Sequence, residues 1–197
     1  CCPAWHSMIE KLFPSEFNKI SMTLTPMVFT ARLMKKRYPG CKVVFVGPCA
    51  AKKLEAIRET IRSDVDFVLT FEELAGMFEA KEIDWATIEE APVLNEGSGA
   101  GRYFAVAGGV AKAVTDLAEK ENPGLKIQTA RAEGLRECRK LMTLAKAGKY
   151  KGYLLEGMAC PGGCIAGPGT NLPVEKAAKF VEKYSKEANF ACPTESA

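Results

Sequence analysis

The stretch CKVVFVGPC, residues 41–49, carries the pattern from which the fold follows. Its four consecutive apolar residues, Val43 to Val46, are stopped by a Gly-Pro pair, and a cysteine, Cys49, comes next. A run that is apolar on both faces is typical of a buried strand in a parallel sheet. Because chemistry in open α/β sheets collects beyond the carboxyl ends of the strands, Cys49 is a candidate site residue.

The alternation of strand and helix continues along the chain. Thr25 is a candidate N-cap followed by proline, and Thr70 with Glu73 forms a candidate capping box. Strands are predicted at 43–46, 64–70, 126–130 and 152–157, and helices at 25–38, 108–124, 134–149 and 173–188. This order predicts an α/β fold with a mostly parallel, about four-stranded sheet flanked by helices. We expect it to occupy residues 1–197 as a single lobe.

Composition excludes several function classes. The 197 residues are 47% hydrophobic and 26% charged, with a formal net charge of +3. No basic stripe is interleaved with aromatic residues, so we expect no nucleic-acid partner. No apolar run approaches the roughly 18 residues of a membrane span, so we expect none. The first residues do not read as a signal peptide, which favours a cytoplasmic location.

The eight cysteines fall into two groups. A chain of this length, with a conventional core, does not need disulfides, so we expect reduced thiols. Cys138 lies on the apolar face of its helix and is predicted to be a packing thiol. Cys41 and Cys192 are expected to be incidental, and the single histidine, His6, is expected to be a surface or packing residue. The remaining thiols are Cys1, Cys2, Cys49, Cys160 and Cys164.

The segment MACPGGC, residues 158–164, places two of these thiols around a Pro-Gly-Gly turn. A disulfide oxidoreductase normally shows Cys-x-x-Cys, which is one residue shorter. Structural zinc sites use Cys-x-x-Cys knuckles, whereas an iron–sulfur cluster accepts four thiolates from several loops. Spacing favours the cluster and leaves zinc and a dithiol catalyst open. Because Cys49 and Cys160 each follow a predicted strand, we expect these two thiols to lie at one edge of the sheet.

Three segments together resemble a known family. CCPAW (1–5), GPCAAKKLEA (47–56) and EGMACPGGCIAGPG (156–169) are similar to the three signature motifs of the iron-only ([FeFe]) hydrogenases, in the same order. The resemblance implies reversible oxidation of H2 by an anaerobic iron–sulfur enzyme. It also implies the H-cluster, a [4Fe–4S] cluster joined to a two-iron subcluster with CO, CN and dithiolate ligands.

The resemblance also assigns roles by motif. Cys2, Cys49, Cys160 and Cys164 would ligate the [4Fe–4S] cluster and so converge at one edge of the sheet, and Cys164 would bridge to the two-iron subcluster. Cys1 would exchange protons with the dithiolate bridge, and Ser21 would lie on the proton relay. Lys52 would meet a cyanide ligand, oriented by Glu55. Met158 would pack over the two-iron subcluster, and bare amides of the Pro-Gly-Gly turn could approach the sulfurs.

Some residues depart from the family pattern. Gly47 stands where catalytic members often have methionine, and Met27 stands where many have glutamine. These changes keep two alternatives open: a sensory or regulatory hydrogenase-like protein, and a hydrogenase-like iron–sulfur assembly protein.

The resemblance further implies that residues 1–197 are the C-terminal half of the H-cluster domain, a fragment of a longer chain. Its partners would be a missing N-terminal lobe and a ferredoxin or ferredoxin-like domain. The isolated fragment would be inactive and could lack the cofactor.

Overall fold

The computed structural model describes residues 1–89 and 96–195. The chain divides into two compact units. Unit 1 comprises Cys1–Ile88 and Gly167–Asn171, and unit 2 comprises Glu89–Ala166 and Leu172–Ala197. The expectation that residues 1–197 form a single lobe stays a prediction.

Unit 1 places a parallel strand pair among helices. In chain order its elements are α1 (Pro3–Leu12), a 3-10 helix (Pro14–Lys19), α2 (Pro26–Arg37), β1 (Val44–Gly47), α3 (Ala51–Ala56), β2 (Phe67–Thr70) and α4 (Phe71–Ala80). Strands β1 and β2 pair in parallel, with Val44 opposite Phe67 and Gly47 opposite Thr70. The connection between them runs through α3, as parallel strands require a crossover.

Unit 2 repeats this arrangement with a second parallel pair. Its elements are α5 (Gly99–Arg102), a 3-10 helix (Tyr103–Ala105), α6 (Gly109–Glu121), β3 (Thr129–Glu133), α7 (Leu135–Lys146), β4 (Leu154–Met158), a 3-10 helix (Cys164–Ala166), α8 (Val174–Lys186) and a 3-10 helix (Pro193–Glu195). Strands β3 and β4 are parallel, with Glu133 opposite Met158. Across the described part of the chain, no helix is long and apolar enough to cross a membrane.

The predicted fold class is confirmed, with one refinement in the sheet. The strands found in residues 1–89 and 96–195 number four and are parallel, but they form two sheets of two strands each. A strand with a single neighbour keeps one edge and part of its faces open. Val44 is therefore 47% exposed and Phe67 61% exposed, and the prediction that β1 is buried on both faces is wrong.

Helix α2 supplies the core of unit 1. Its buried residues Met27, Val28 and Ala31 pack with Ala56 and Val65. The Thr25 hydroxyl accepts the Val28 N–H at the predicted N-cap. The predicted capping box at Thr70 and Glu73 is also present at the start of α4.

A short segment from late in the chain completes unit 1. The Gly169 N–H donates to the Pro48 carbonyl at 3.0 Å, and the Gly169 carbonyl accepts the Glu72 N–H at 3.2 Å. The Asn171 side-chain amide donates to the Phe71 carbonyl at 3.2 Å. A Cβ on residue 169 would lie 2.4 Å from the Cβ of Thr70, so this approach requires glycine.

Cys138 is the packing residue that the sequence predicts. It is fully buried within unit 2, in helix α7. Its sulfur lies 3.5 Å from the carbonyl oxygens of Ala132 and Met158. A weak S–H donor therefore has acceptors on both strands of the β3–β4 pair, and this thiol acts as part of the core.

Candidate functional site

The first motif ends in the start of a helix. Cys2 is the N-cap of α1, and its sulfur accepts the Trp5 N–H at 3.5 Å. Pro3 occupies the first helical position, where its missing N–H costs nothing. Cys1 lies immediately before this cap and is exposed. The helix start therefore holds the backbone of the Cys-Cys pair and leaves Cys1 accessible.

The second motif buries an ion pair one turn beyond Cys49. Lys52 and Glu55 lie on α3 and are only 8% and 5% exposed. Lys52 Nζ donates to Glu55 Oε2 at 2.6 Å and to the Cys1 carbonyl oxygen at 3.2 Å. The structure thus joins three residues that were predicted separately: Lys52, Glu55 and the backbone of Cys1.

Thr25 is a fourth member of this network. Its hydroxyl donates to Glu55 Oε1 at 2.6 Å while it caps α2 by accepting the Val28 N–H. Both oxygens of the Glu55 carboxylate therefore have a donor, as a buried charge requires. The network ties the start of α2 to α3 and to the first motif.

Helix α1 is also held by one arginine, which lies just after the end of α3. Arg58 donates to His6 Nδ1 at 3.0 Å, to Ser7 Oγ at 2.9 Å and to Glu10 Oε2 at 3.1 Å. A guanidinium can only donate, so His6 Nδ1 accepts and the neutral ring carries its proton on Nε2. Burial, and then the charge of Arg58, lower the pKa of His6 below its ordinary value of 6.5. The imidazole also stacks on Phe17, so His6 is the packing residue that was expected.

The third motif is a turn built on two left-handed glycines. Gly162 and Gly163 have φ values of +95° and +96°. A Cβ on residue 163 would lie 2.5 Å from the Ala107 nitrogen and 2.6 Å from the Ala105 carbonyl oxygen. Only glycine fits there. The turn therefore brings the backbone of the Cys160–Cys164 segment close to residues 105–107.

The amides of this turn have other acceptors than sulfur. The Gly162 N–H donates to Glu133 Oε2 at 2.8 Å, and the Gly163 N–H donates to the Cys160 carbonyl at 3.0 Å. The expectation that these bare amides approach the sulfurs stays a prediction. A carboxylate, not a thiolate, is the acceptor for Gly162.

The other predicted residues are placed as follows. Met158 ends β4 and is 2% exposed. Ser21 is exposed, and its hydroxyl bonds only to Thr23, donating to Oγ1 at 3.1 Å and accepting the N–H at 3.3 Å. It makes no hydrogen bond to Lys52 or Glu55 among the described contacts.

The four predicted ligands are divided between the units. Unit 1 holds Cys2 and Cys49, and unit 2 holds Cys160 and Cys164. Within residues 1–89 and 96–195, no group of three or more His, Cys, Asp or Glu could hold a metal ion. Neither unit by itself carries more than two of the predicted ligands. The convergence of all four at one edge of a sheet stays a prediction.

The donor chemistry nevertheless fits an iron–sulfur cluster. All four candidates are partly exposed thiols, and each lies on a loop or at a helix start rather than inside a core. Thiolates on loops are the usual ligands of such clusters. In the third motif, Gly162 and Gly163 carry no side chains, and this allows the left-handed backbone conformation that the turn requires.

Comparison with known families agrees with these motifs. The family described as "Iron only hydrogenase large subunit, C-terminal domain" matches residues 1–168. The chain belongs to this family. One relative, Iron hydrogenase 1 from Clostridium pasteurianum, is 29% identical over 86% of the chain. Another, a probable cytosolic Fe-S cluster assembly factor from Drosophila mojavensis, is 28% identical over 94% of the chain.

The chain spans 37% and 51% of the lengths of these two relatives. A solved structure, a variant of [FeFe]-hydrogenase HydA1 from Chlamydomonas reinhardtii, matches the whole chain with a TM-score of 0.77 at 24% identity. The chain covers 68% of that structure. At this identity the likeness establishes the fold alone, which is the fold of the iron-only hydrogenase C-terminal domain.

Three polar residues of this hydrogenase-family chain were missed as site residues. They are the hydrogen-bond partners Thr25, Glu133 and Glu156. Glu156 is 8% exposed, and its carboxylate accepts the N–H groups of Gly108 and Ala111, both at 2.7 Å, at the start of α6. The signal for Glu156 was an acidic residue within the apolar run GYLLEGM. Glu133 gave no such signal, because the strand was predicted at 126–130, whereas β3 extends to Glu133.

Proposed function

We propose that this chain serves in an iron–sulfur oxidoreductase of the [FeFe]-hydrogenase type. The reaction is the reversible conversion of H2 to two protons and two electrons. Cys2, Cys49, Cys160 and Cys164 would ligate the [4Fe–4S] cluster, with Cys164 also bridging to the two-iron subcluster. When bound, the H-cluster supplies the electron storage and the hydrogen chemistry.

The observation that carries the proposal is the buried ammonium of Lys52. Burying an ion pair is costly, and apolar residues of similar volume often stabilise a protein as well or better. An ammonium has three N–H donors, and two acceptors are present among the described residues, Glu55 and the Cys1 carbonyl. The third donor is available to an anionic ligand beside Cys1. A protein that held only a [4Fe–4S] cluster would have no need for a buried ammonium at this position.

We assign proton transfer to the exposed thiol of Cys1 in the first motif. Cys1 is exposed, while its carbonyl is held by Lys52. A thiol in a fixed position can give and accept a proton at Sγ. Cys1 would therefore serve as the acid–base residue, and Ser21, on the surface with Thr23, would receive the proton further out.

A second candidate function has its own observation. Met27 lies 4% exposed within the core of unit 1, so the position where many hydrogenases carry glutamine is occupied by a packing residue. An iron–sulfur assembly protein without H2 chemistry would tolerate that change. The assembly-factor relative, which matches 94% of the chain, supports the same candidate.

Infrared spectroscopy separates the two candidates. The full-length protein would be matured anaerobically with the complete hydrogenase assembly machinery, and iron would be measured alongside. CO and CN stretching bands together with bound iron are expected. Bound iron with no such bands would overturn the hydrogenase proposal in favour of the assembly function.

A matched pair of variants tests the role of Lys52. Lys52→Met should shift or abolish the CN bands, because the remaining N–H donor is lost. Lys53→Met is the control, since Lys53 pairs with the exposed Glu73 on the surface. Equal band shifts in the two variants would contradict a specific role for Lys52.

A further inference from the structure

Glu133 is the one charged side chain that binds the backbone of the third motif among the described contacts. It is the last residue of β3 and stands opposite Met158 in the parallel register. Its Oε2 accepts the Gly162 N–H at 2.8 Å, across 29 residues of sequence. The strand pairing thus delivers a carboxylate to the turn between Cys160 and Cys164.

The negative charge of the Glu133 carboxylate is only partly balanced by a positive side chain. Its other oxygen lies 3.9 Å from Nε of Arg131, whose side chain is 62% exposed. A pair this long and this open to water contributes little. The Glu133 side chain itself is 33% exposed, so solvent weakens its field without removing it. The charged group that contacts the turn directly is therefore the Glu133 carboxylate.

We propose that Glu133 positions the Cys160–Cys164 turn and lowers the reduction potential of the cluster bound there. This inference rests on the proposed function, because it requires the cluster. Reduction adds one electron and hence one unit of negative charge, which a neighbouring carboxylate disfavours. Glu133 also occupies an N–H that could otherwise donate to a sulfur and raise the potential. Both effects lower the reduction potential of the cluster.

The positioning effect follows from the turn's backbone. Two consecutive residues at φ near +95° need external restraint, because glycine loses the most conformational freedom on folding. The Gly162 N–H is held by Glu133, a residue of the chain itself. Glu133 is therefore a positioning residue for the two cysteines, and its effect should be visible without iron.

The first test uses the protein without iron. Amide hydrogen exchange at Gly162 is measured in the parent, in Glu133→Gln and in Glu133→Ala. Glutamine keeps an acceptor oxygen at the same place, so protection of Gly162 should persist. Alanine removes the acceptor, so exchange should speed up at least tenfold. Unchanged exchange in Glu133→Ala would overturn the positioning role.

The second test uses the full-length protein, reconstituted anaerobically with iron and sulfide. Dithionite supplies one electron per [4Fe–4S] cluster, with no bond made or broken, and the reduced cluster is counted by electron paramagnetic resonance. Glu133→Gln should shift the midpoint potential to a more positive value at unchanged iron content. Glu137→Gln, which removes an exposed carboxylate paired with Lys140 on α7, should leave the potential unchanged.

The outcomes separate the two proposals. A Glu133→Gln potential equal to that of the parent, or more negative, would overturn the tuning role while leaving the cluster in place. A parent protein that binds no iron would overturn the proposed function and the tuning role together. The Gly162 exchange result would still decide the positioning role.

Discussion

Replacing Lys52 by methionine isolates the energetics of the buried pair. Methionine matches the length and volume of the lysine stem, so packing on α3 is kept while the ammonium is lost. Glu55, whose side chain is 6% exposed, then retains the Thr25 hydroxyl as its described donor. The variant therefore leaves a buried carboxylate with one hydrogen bond and no counter-charge.

The size of the loss can be worked from these contacts. Removing one partner of a buried ion pair costs about 3–5 kcal/mol, because the other charge stays buried. Glu55 keeps its hydrogen bond to Thr25, so we expect the lower end, about 3 kcal/mol of unfolding free energy. Adding Glu55→Gln removes the stranded charge and keeps an acceptor for Thr25. The double variant should therefore lie within about 1 kcal/mol of the parent.

Urea unfolding followed by tryptophan fluorescence measures this directly. Both tryptophans, Trp5 and Trp85, lie in unit 1, so the signal reports on the unit that contains the pair. Lys53→Met is the control, and its surface pair should change the midpoint little. The reasoning fails if Lys52→Met is as stable as the control. It also fails if the double variant is no more stable than Lys52→Met alone.

Three further predictions concern the Cys1–Cys2 pair, Arg58 and the N-cap of α4. In the full-length protein, Cys2→Ala should lose bound iron, whereas Cys1→Ala should keep its iron and its infrared bands but lose H2 evolution, because all four ligands remain while the proton-exchanging thiol is absent. Arg58→Gln should make the amides of α1 exchange faster, with a drop of about 2 kcal/mol in opening free energy, because several charge-assisted hydrogen bonds are lost. Thr70→Ala should lower the unfolding free energy by about 1 kcal/mol through loss of the N-cap of α4.

Each of these has an outcome that contradicts it. Equal loss of iron in both cysteine variants would remove the division of roles between Cys1 and Cys2. An Arg58→Gln variant with parental exchange in α1 would show that the helix is held by other contacts. For the cap, Thr70→Ser is the control, because serine keeps the accepting oxygen; equal losses in the two variants would point to packing of the methyl group.

The lowered pKa of His6 predicts a pH dependence of stability. Because the folded state resists protonation, the unfolded chain takes up the proton first as the pH falls below 6.5. The stabilisation that the neutral imidazole provides is therefore fully present above pH 6.5 and is lost progressively as the pH falls below 6.5. Urea midpoints of the parent should fall relative to those of His6→Gln between about pH 7 and pH 5. Parallel curves for the two proteins would contradict the shift.

Local signals in the sequence predicted the elements well. The apolar run at 43–46 becomes β1 at Val44–Gly47, and the Thr70–Glu73 capping box starts α4 as expected. Both depend on residues within a few positions of each other. The burial of Cys138 was equally readable, since it follows from the helical period of its apolar neighbours.

Contacts between distant residues could not be read in this way. The hydrogen bond from Thr25 to Glu55 spans 30 residues, and that from Gly162 to Glu133 spans 29. The local sequence pattern does not indicate which distant carboxylate a given N–H or O–H group will contact. The division of four strands into two sheets has the same cause, because partner choice depends on the packing of whole helices rather than on the strands themselves. The roles of the cysteines came from motif resemblance, which local physics does not supply.

The return of residues 167–171 to unit 1 has a consequence for synthesis. Unit 1 lacks these partners of Pro48, Phe71 and Glu72 until the ribosome has added roughly 80 residues beyond Ile88. At about 5–20 residues per second, that interval lasts about 4–16 s. Strands β1 and β2 can pair before then, but the backbone groups of Pro48, Phe71 and Glu72 stay open to chaperones or to wrong partners until the third motif has emerged. All four thiols of the proposed cluster therefore leave the ribosome before these last hydrogen bonds of unit 1 can form.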